Sequence, residues 1–133
     1  MKKVLMVEDD PKISLAFGVR LKAMGYEVVT AQDAISAVAQ VRRHRPDVVL
    51  LDISLPGGDG FTVAERINSL IDSAATPIVF VTASKQPGLR ERAKQLGAVG
   101  FLNKPFDATS LANAIESALY PSDSWQPLAD ACA

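Results

Sequence analysis

Five short apolar runs recur along the chain: Val4 to Val7, Glu27 to Thr30, Val48 to Leu51, Ile78 to Val81, and Val99 to Leu102. Runs of this length, continuous or alternating, predict strands, and the continuous ones predict strands covered on both faces. Between them apolar residues recur at steps of three and four. The sets are Ile13, Phe17, Leu21 and Met24; Ile35, Val38 and Val41; Val63, Ile67, Leu70 and Ile71; Leu89, Ala93 and Leu96; and Leu111, Ile115, Ala118 and Leu119. That spacing predicts five amphipathic helices. Asp10 is placed to cap the first helix ahead of Pro11, Gly25 and Gly97 to stop the first and fourth, and Asp107 or Thr109 to cap the last. Strands joined through helices run parallel, so the pattern predicts an α/β three-layer sandwich.

Composition narrows the functional classes. At 133 residues, 48% of them hydrophobic, the chain has the size and core of one domain. The expected division is a domain over residues 1–120 and a short tail over 121–133, polar apart from Trp125 and Leu128, with no output domain. A formal net charge of -1 gives no basic field for nucleic acid or anionic membrane. No apolar stretch approaches a membrane span, and the N-terminus does not read as a signal peptide, so a cytoplasmic location is expected. The single Cys132 has no second cysteine for a disulfide or zinc cluster.

The chemistry sits where the apolar runs stop. Glu8-Asp9-Asp10 follows the first, Asp52 closes the third, Thr82 follows the fourth and Lys104 the fifth. In an open parallel sheet these strand tips border one crevice. Converging carboxylates repel unless a cation neutralises them. A hard oxygen-seeking ion such as Mg²⁺ suits them. Together with an ammonium and a hydroxyl, the set suits a phosphoryl group, whose transfer needs positioning and charge neutralisation more than a histidine base. Asp52 is then the candidate nucleophile for an acyl phosphate.

With these motifs in place, Val7-Glu8-Asp9-Asp10-Pro11, Leu51-Asp52, Leu55-Pro56-Gly57-Gly58-Asp59-Gly60, Thr82-Ala83 and Lys104-Pro105-Phe106, the chain resembles the CheY-like receiver domains of bacterial two-component response regulators from Lys2 to about Leu119. The resemblance implies a doubly wound, flavodoxin-like five-stranded parallel sheet of order 2-1-3-4-5. It implies that Asp52 accepts a phosphoryl group from a sensor histidine kinase or histidine phosphotransfer protein. Asp9, Asp52 and the Ser54 backbone carbonyl would ligate Mg²⁺, with Glu8 acting through water. Thr82 would bind a phosphoryl oxygen, and Lys104 would pair with Asp52 and then with phosphate, its bond to Pro105 being cis. Phe101 matches an aromatic switch position. Ser54 and Ser84 match positions that vary with phosphate lifetime. Output would pass to a protein target through the fourth helix, fifth strand and fifth helix.

Two positions depart from the family pattern. Gly58 replaces a larger apolar residue, so a more mobile loop is expected after Asp52, and Phe101 lacks the hydroxyl of the frequent Tyr. Arg42-Arg43-His44-Arg45 reads as a solvated helix end complementing the macrodipole, and Lys85, Arg90, Arg92 and Lys94 as a wet face or, alternatively, as a partner surface beside the output face that would read a partner's acids. A flavin carrier of this fold would want a Ser/Thr/Gly-rich phosphate loop where Glu8-Asp9-Asp10 stands. An aspartyl phosphatase would want a second Asp where Ser54 stands. The expected function is a non-enzymatic signalling switch that catalyses only its own phosphotransfer and dephosphorylation. The alternatives are a binding module of receiver fold without phosphorylation, or the receiver fragment of a larger regulator.

Overall fold

A computed structural model describes residues 1–70 and 75–121. The elements are β1 (Lys3–Val7), α1 (Pro11–Ala23), β2 (Glu27–Ala31), α2 (Ala34–His44), β3 (Val48–Asp52), α3 (Gly60–Ser69), β4 (Ile78–Thr82), α4 (Leu89–Gln95), β5 (Gly100–Asn103) and α5 (Ala108–Leu119). Every ladder is parallel and the sheet order is β2-β1-β3-β4-β5. This is the expected flavodoxin-like arrangement, with β1 and β3 adjacent at the switch point. Ile71, Trp125, Leu128 and Cys132 lie outside the described residues.

Side chains alternate through the sheet and create two cores. Leu5, Val7, Val49, Leu51, Ile78, Phe80 and Phe101 point toward α2, α3 and α4, whereas Val4, Met6, Val48, Leu50, Val79, Val81 and Leu102 meet α1 and α5. Phe61 of α3 packs on Phe80 with ring centroids 5.1 Å apart. Truncating a buried ring of this kind to Ala costs about 3–5 kcal/mol.

Local signals fix the helix ends. The Asp10 carboxylate accepts from the N–H groups of Lys12 and Ile13, with Pro11 behind it, and Asp107 rather than Thr109 caps α5 by accepting from Ser110. Gly25 and Gly97, with φ of 95° and 80°, close α1 and α4 in matching turns. In the first, the N–H of Gly25 donates to the Lys22 carbonyl and that of Tyr26 to Leu21; in the second, Gly97 donates to Lys94 and Ala98 to Ala93. A left-handed residue followed by this pair of bonds satisfies carbonyls that the helix leaves open.

Three expectations from periodicity are corrected. The face that α2 buries is Ala34, Ala37 and Val41, and Ile35 is 73% exposed. The two alanines meet the sheet, and that rotation turns the larger Ile35 outward. Met24 is the exposed C-cap of α1 rather than part of its buried stripe. β5 begins at Gly100, not Val99, and runs to Asn103. There, a Cβ on Gly100 would stand 3.2 Å from Val79, so its strand packs tightly on β4.

Candidate functional site

The four strand tips do meet at the carboxyl end of the sheet. Asp52 is the last residue of β3 and is buried, although its neighbours in the strand are apolar. Its Oδ1 accepts the N–H of Ser54 at 2.9 Å and its Oδ2 faces the Lys104 ammonium at 2.8 Å. Lys104 also pairs with Glu8, so one cation joins two acids that β1 and β3 bring side by side. Glu8 in turn accepts the N–H of Asp10. Carboxylate oxygens of Glu8, Asp9 and Asp52 lie within 4.8 Å of one another, Glu8 and Asp52 buried and Asp9 exposed at the rim.

Lys104 reaches the site because its backbone continues the sheet. Its N–H donates to the Thr82 carbonyl at 2.8 Å, and the Lys104–Pro105 bond is cis, as expected. Beneath the acids is a cavity of about 20 Å³, walled by Met6, Phe17, Leu50, Val81 and Phe106, with Phe17 and Phe106 stacked at 4.8 Å. Burial against these apolar side chains raises the Glu8 carboxyl above its ordinary value, despite the opposing pull of Lys104 and the Asp10 N–H. The same burial works to lower the Lys104 ammonium. Its bonds to Asp52 and Glu8 outweigh that effect and hold it above the usual lysine value.

Other candidate residues occupy the surrounding tips and turns. Thr82 ends β4, fully buried, and its hydroxyl oxygen accepts the Ser84 N–H at 3.0 Å. Ser54 is exposed and Ser84 half-buried. The Phe101 ring is turned inward and buried. Gly58 lies against the start of α2, where its Cβ would be 3.4 Å from that of Ala34.

Sequence reading did not single out Gly60. It is the first residue of α3, and a Cβ there would overlap the Asp52 carbonyl oxygen and stand 2.9 Å from the Ile53 Cα. Its N–H donates to the Ile53 carbonyl at 2.8 Å. The glycine lets α3 press directly on the backbone that carries Asp52. Arg92 also differs from its reading as a plain wet residue, since its guanidinium lies 4.4 Å from the centre of the Phe61 ring, a cation–π contact.

Three carboxyl groups around one ammonium leave an excess of negative charge at a cleft of oxygen donors. That donor set fits a hard divalent cation.

The sequence model for the response regulator receiver domain matches residues 4–116. The chain belongs to this family. As a receiver domain of two-component signalling, it has relatives of different lengths. It is 39% identical over 119 residues to the transcriptional regulatory protein PdtaR of Mycobacterium tuberculosis, covering 89% of this chain and 57% of that protein. It is 32% identical to protein PilH of Pseudomonas aeruginosa, covering 90% of this chain and 98% of that one. The receiver thus spans little more than half of the first relative and nearly all of the second. Among solved structures, the chemotaxis response regulator CheY4 of Vibrio cholerae superposes with a TM-score of 0.83 at 33% identity, covering 90% of this chain and 99% of that one. The receiver domain of the sensor histidine kinase PA1611 from Pseudomonas aeruginosa, which has a magnesium ion coordinated in its active site cleft, superposes with a TM-score of 0.81 at 31% identity, covering 89% and 97%. Among the described residues, no helix is long and apolar enough to cross a membrane.

Proposed function

We propose that this receiver domain, residues 1–120 with a short tail over 121–133, is a phosphorylation-dependent switch of a cytoplasmic two-component phosphorelay. Its phosphodonor is a sensor histidine kinase or a histidine phosphotransfer protein. The observation that carries this reading is the convergence of Glu8, Asp9 and Asp52 oxygens within 4.8 Å, with Lys104 bound across two of them.

In the reaction, an Asp52 oxygen forms a bond to phosphorus as the donor's N–P bond breaks, and the electron pair leaves with the imidazole nitrogen. Lys104 is already in place to pass its hydrogen bond from Asp52 to a phosphoryl oxygen. The Thr82 oxygen accepts from Ser84 and keeps its own proton to donate to the same group. The Asp9 and Asp52 carboxylates and the Ser54 carbonyl would ligate Mg²⁺, with Glu8 contacting it through water. When bound, that ion supplies neutralisation of the phosphoryl charge. Ser54 and Ser84 are small side chains in the turns next to Asp52 and Thr82, and they set how easily water reaches the acyl phosphate.

A phosphoryl group adds roughly -1.5 to -2 charge at Asp52. It shifts the balance between packings of Thr82 and Phe101, and α4, β5 and α5 pass that shift to a protein target. The domain catalyses only its own phosphotransfer and dephosphorylation.

The direct test is intact-mass analysis after incubation with acetyl phosphate. A phosphoryl-sized gain that needs Mg²⁺, disappears with chelator and is absent in Asp52→Ala is the expected result. A gain that persists in Asp52→Ala would move the acceptor elsewhere.

A further inference from the structure

Helix α2 carries a second stripe, apart from its buried one. Ile35, Val38, Ala39, Arg42 and Arg43 follow one another at helical steps along one side of a groove of about 510 Å³, and Arg66 of α3 completes the lining. Ile35 is 73% exposed, Val38 half-buried, and the three arginines exposed. Among the described residues no carboxylate is paired with Arg42, Arg43 or Arg66. The helix macrodipole accounts for arginines in the last turn of α2. It does not account for an exposed isoleucine at the other end of the same stripe, nor for an arginine converging from a different helix.

We propose that this α2–α3 groove docks an acidic segment of a partner protein, one that sets an aliphatic side chain against Ile35 and Val38 and its carboxylates on Arg42, Arg43 and Arg66. Guanidinium groups bind carboxylates in paired hydrogen bonds, and three of them on a chain of net charge -1 make a local basic spot rather than a general basic field. Nucleic acid is the poorer match, because the floor is aliphatic, has no aromatic ring to stack a base, and lacks a continuous basic track. The topology places the groove's arginines away from the phosphoacceptor. Helices return antiparallel to the strands, so the C-terminal halves of α2 and α3 lie toward the opposite end of the sheet from Asp52.

The test is an amide NMR titration of the full chain with a short acetylated peptide of leucine and glutamate. Parallel titrations use the same peptide with lysine for glutamate, the same with serine for leucine, a short DNA duplex, and phosphatidylglycerol vesicles. Shifts confined to α2 and α3 with the leucine–glutamate peptide are expected. Ile35→Ser, and separately the triple replacement Arg42→Gln, Arg43→Gln and Arg66→Gln, should each weaken binding by about tenfold or more. Labelling of Asp52 by acetyl phosphate should stay unchanged in both, which verifies their fold. Retained affinity in either variant, shifts centred elsewhere, or tighter binding of the duplex or the vesicles at this groove would overturn the proposal.

Discussion

Gly60 and Asp52 meet backbone to backbone: no side-chain atom fits between the first turn of α3 and the carbonyl of the candidate phosphoacceptor. The contact sets how far Asp52 projects into the crevice. Gly60→Ala should therefore destabilise the domain by about 1–3 kcal/mol, the usual range for overpacking a tight site. It should also slow labelling by acetyl phosphate at temperatures where the variant is folded. Urea unfolding together with labelling kinetics checks both parts; wild-type stability would mean that α3 shifts without penalty.

Metal affinity should separate the three acids. Glu8 is already engaged by Lys104 and the Asp10 N–H, whereas Asp9 stands exposed at the rim. Asp9→Asn should weaken Mg²⁺ binding by about tenfold or more, equivalent to roughly 1.4 kcal/mol, and Glu8→Gln by less. Lys104→Ala should bind Mg²⁺ at least as well as wild type, because it removes a competing cation. Calorimetric titration gives the order, and unchanged affinity in Asp9→Asn would remove that residue from the ligand set.

Acid stability should depend on two helix caps. The backbone N–H of Ser36 holds the Asp33 carboxyl below its ordinary 3.8, and that of Ser110 does the same for Asp107. A folded value below the unfolded one stabilises above pH 3.8, and the contribution is lost as pH falls through the lowered value. Asp33→Ala and Asp107→Ala should each lower the melting temperature at neutral pH, with a deficit that shrinks under acid as the wild-type carboxyls protonate. Melting curves taken in steps down to about pH 2.5 provide the comparison. A deficit independent of pH would assign the caps' effect to something other than their charge.

Phosphate lifetime should respond to the two serines. Replacing Ser54 or Ser84 with larger or charged residues should change the decay of the acyl phosphate, measured after removal of the donor. Identical decay in all variants would clear both positions of that role.

The switch should involve Thr82 and a ring already turned inward. The Phe101 ring is 3% exposed, packed inside the sheet's core on the α4 side. Beryllofluoride should perturb amide signals of Thr82, Ala83, Phe101 and α4, and Thr82→Ala should reduce that response. Changes restricted to the loop after Asp52 would place the output face elsewhere.

The strand tips were legible in sequence because acids, a hydroxyl and an ammonium are chemical outliers next to apolar runs. Helix ends were legible for a similar reason, since Asp10, Gly25 and Gly97 act through their own local geometry. What escaped notice depends on distant neighbours. Gly60 is one of three glycines in the loop from Leu55, and nothing in the string distinguishes the one that touches Asp52. Arg92 finds its aromatic partner in a different helix. On α2, periodicity favours the larger Ile35 for the buried face, whereas the sheet accepts the smaller Ala34 and Ala37.

The Lys104 ammonium joins two acids that lie 96 and 52 positions before it along the chain. Every acid of the cluster is made before it during synthesis, and β5, the edge strand that delivers it, is the last to be added. A nascent chain that has paired only β1 and β3 holds its carboxylates together without their protein counter-charge. The ammonium paired with Glu8 and Asp52 therefore arrives with the final strand, and the charge of the cluster is offset by protein only once the whole sheet has been assembled.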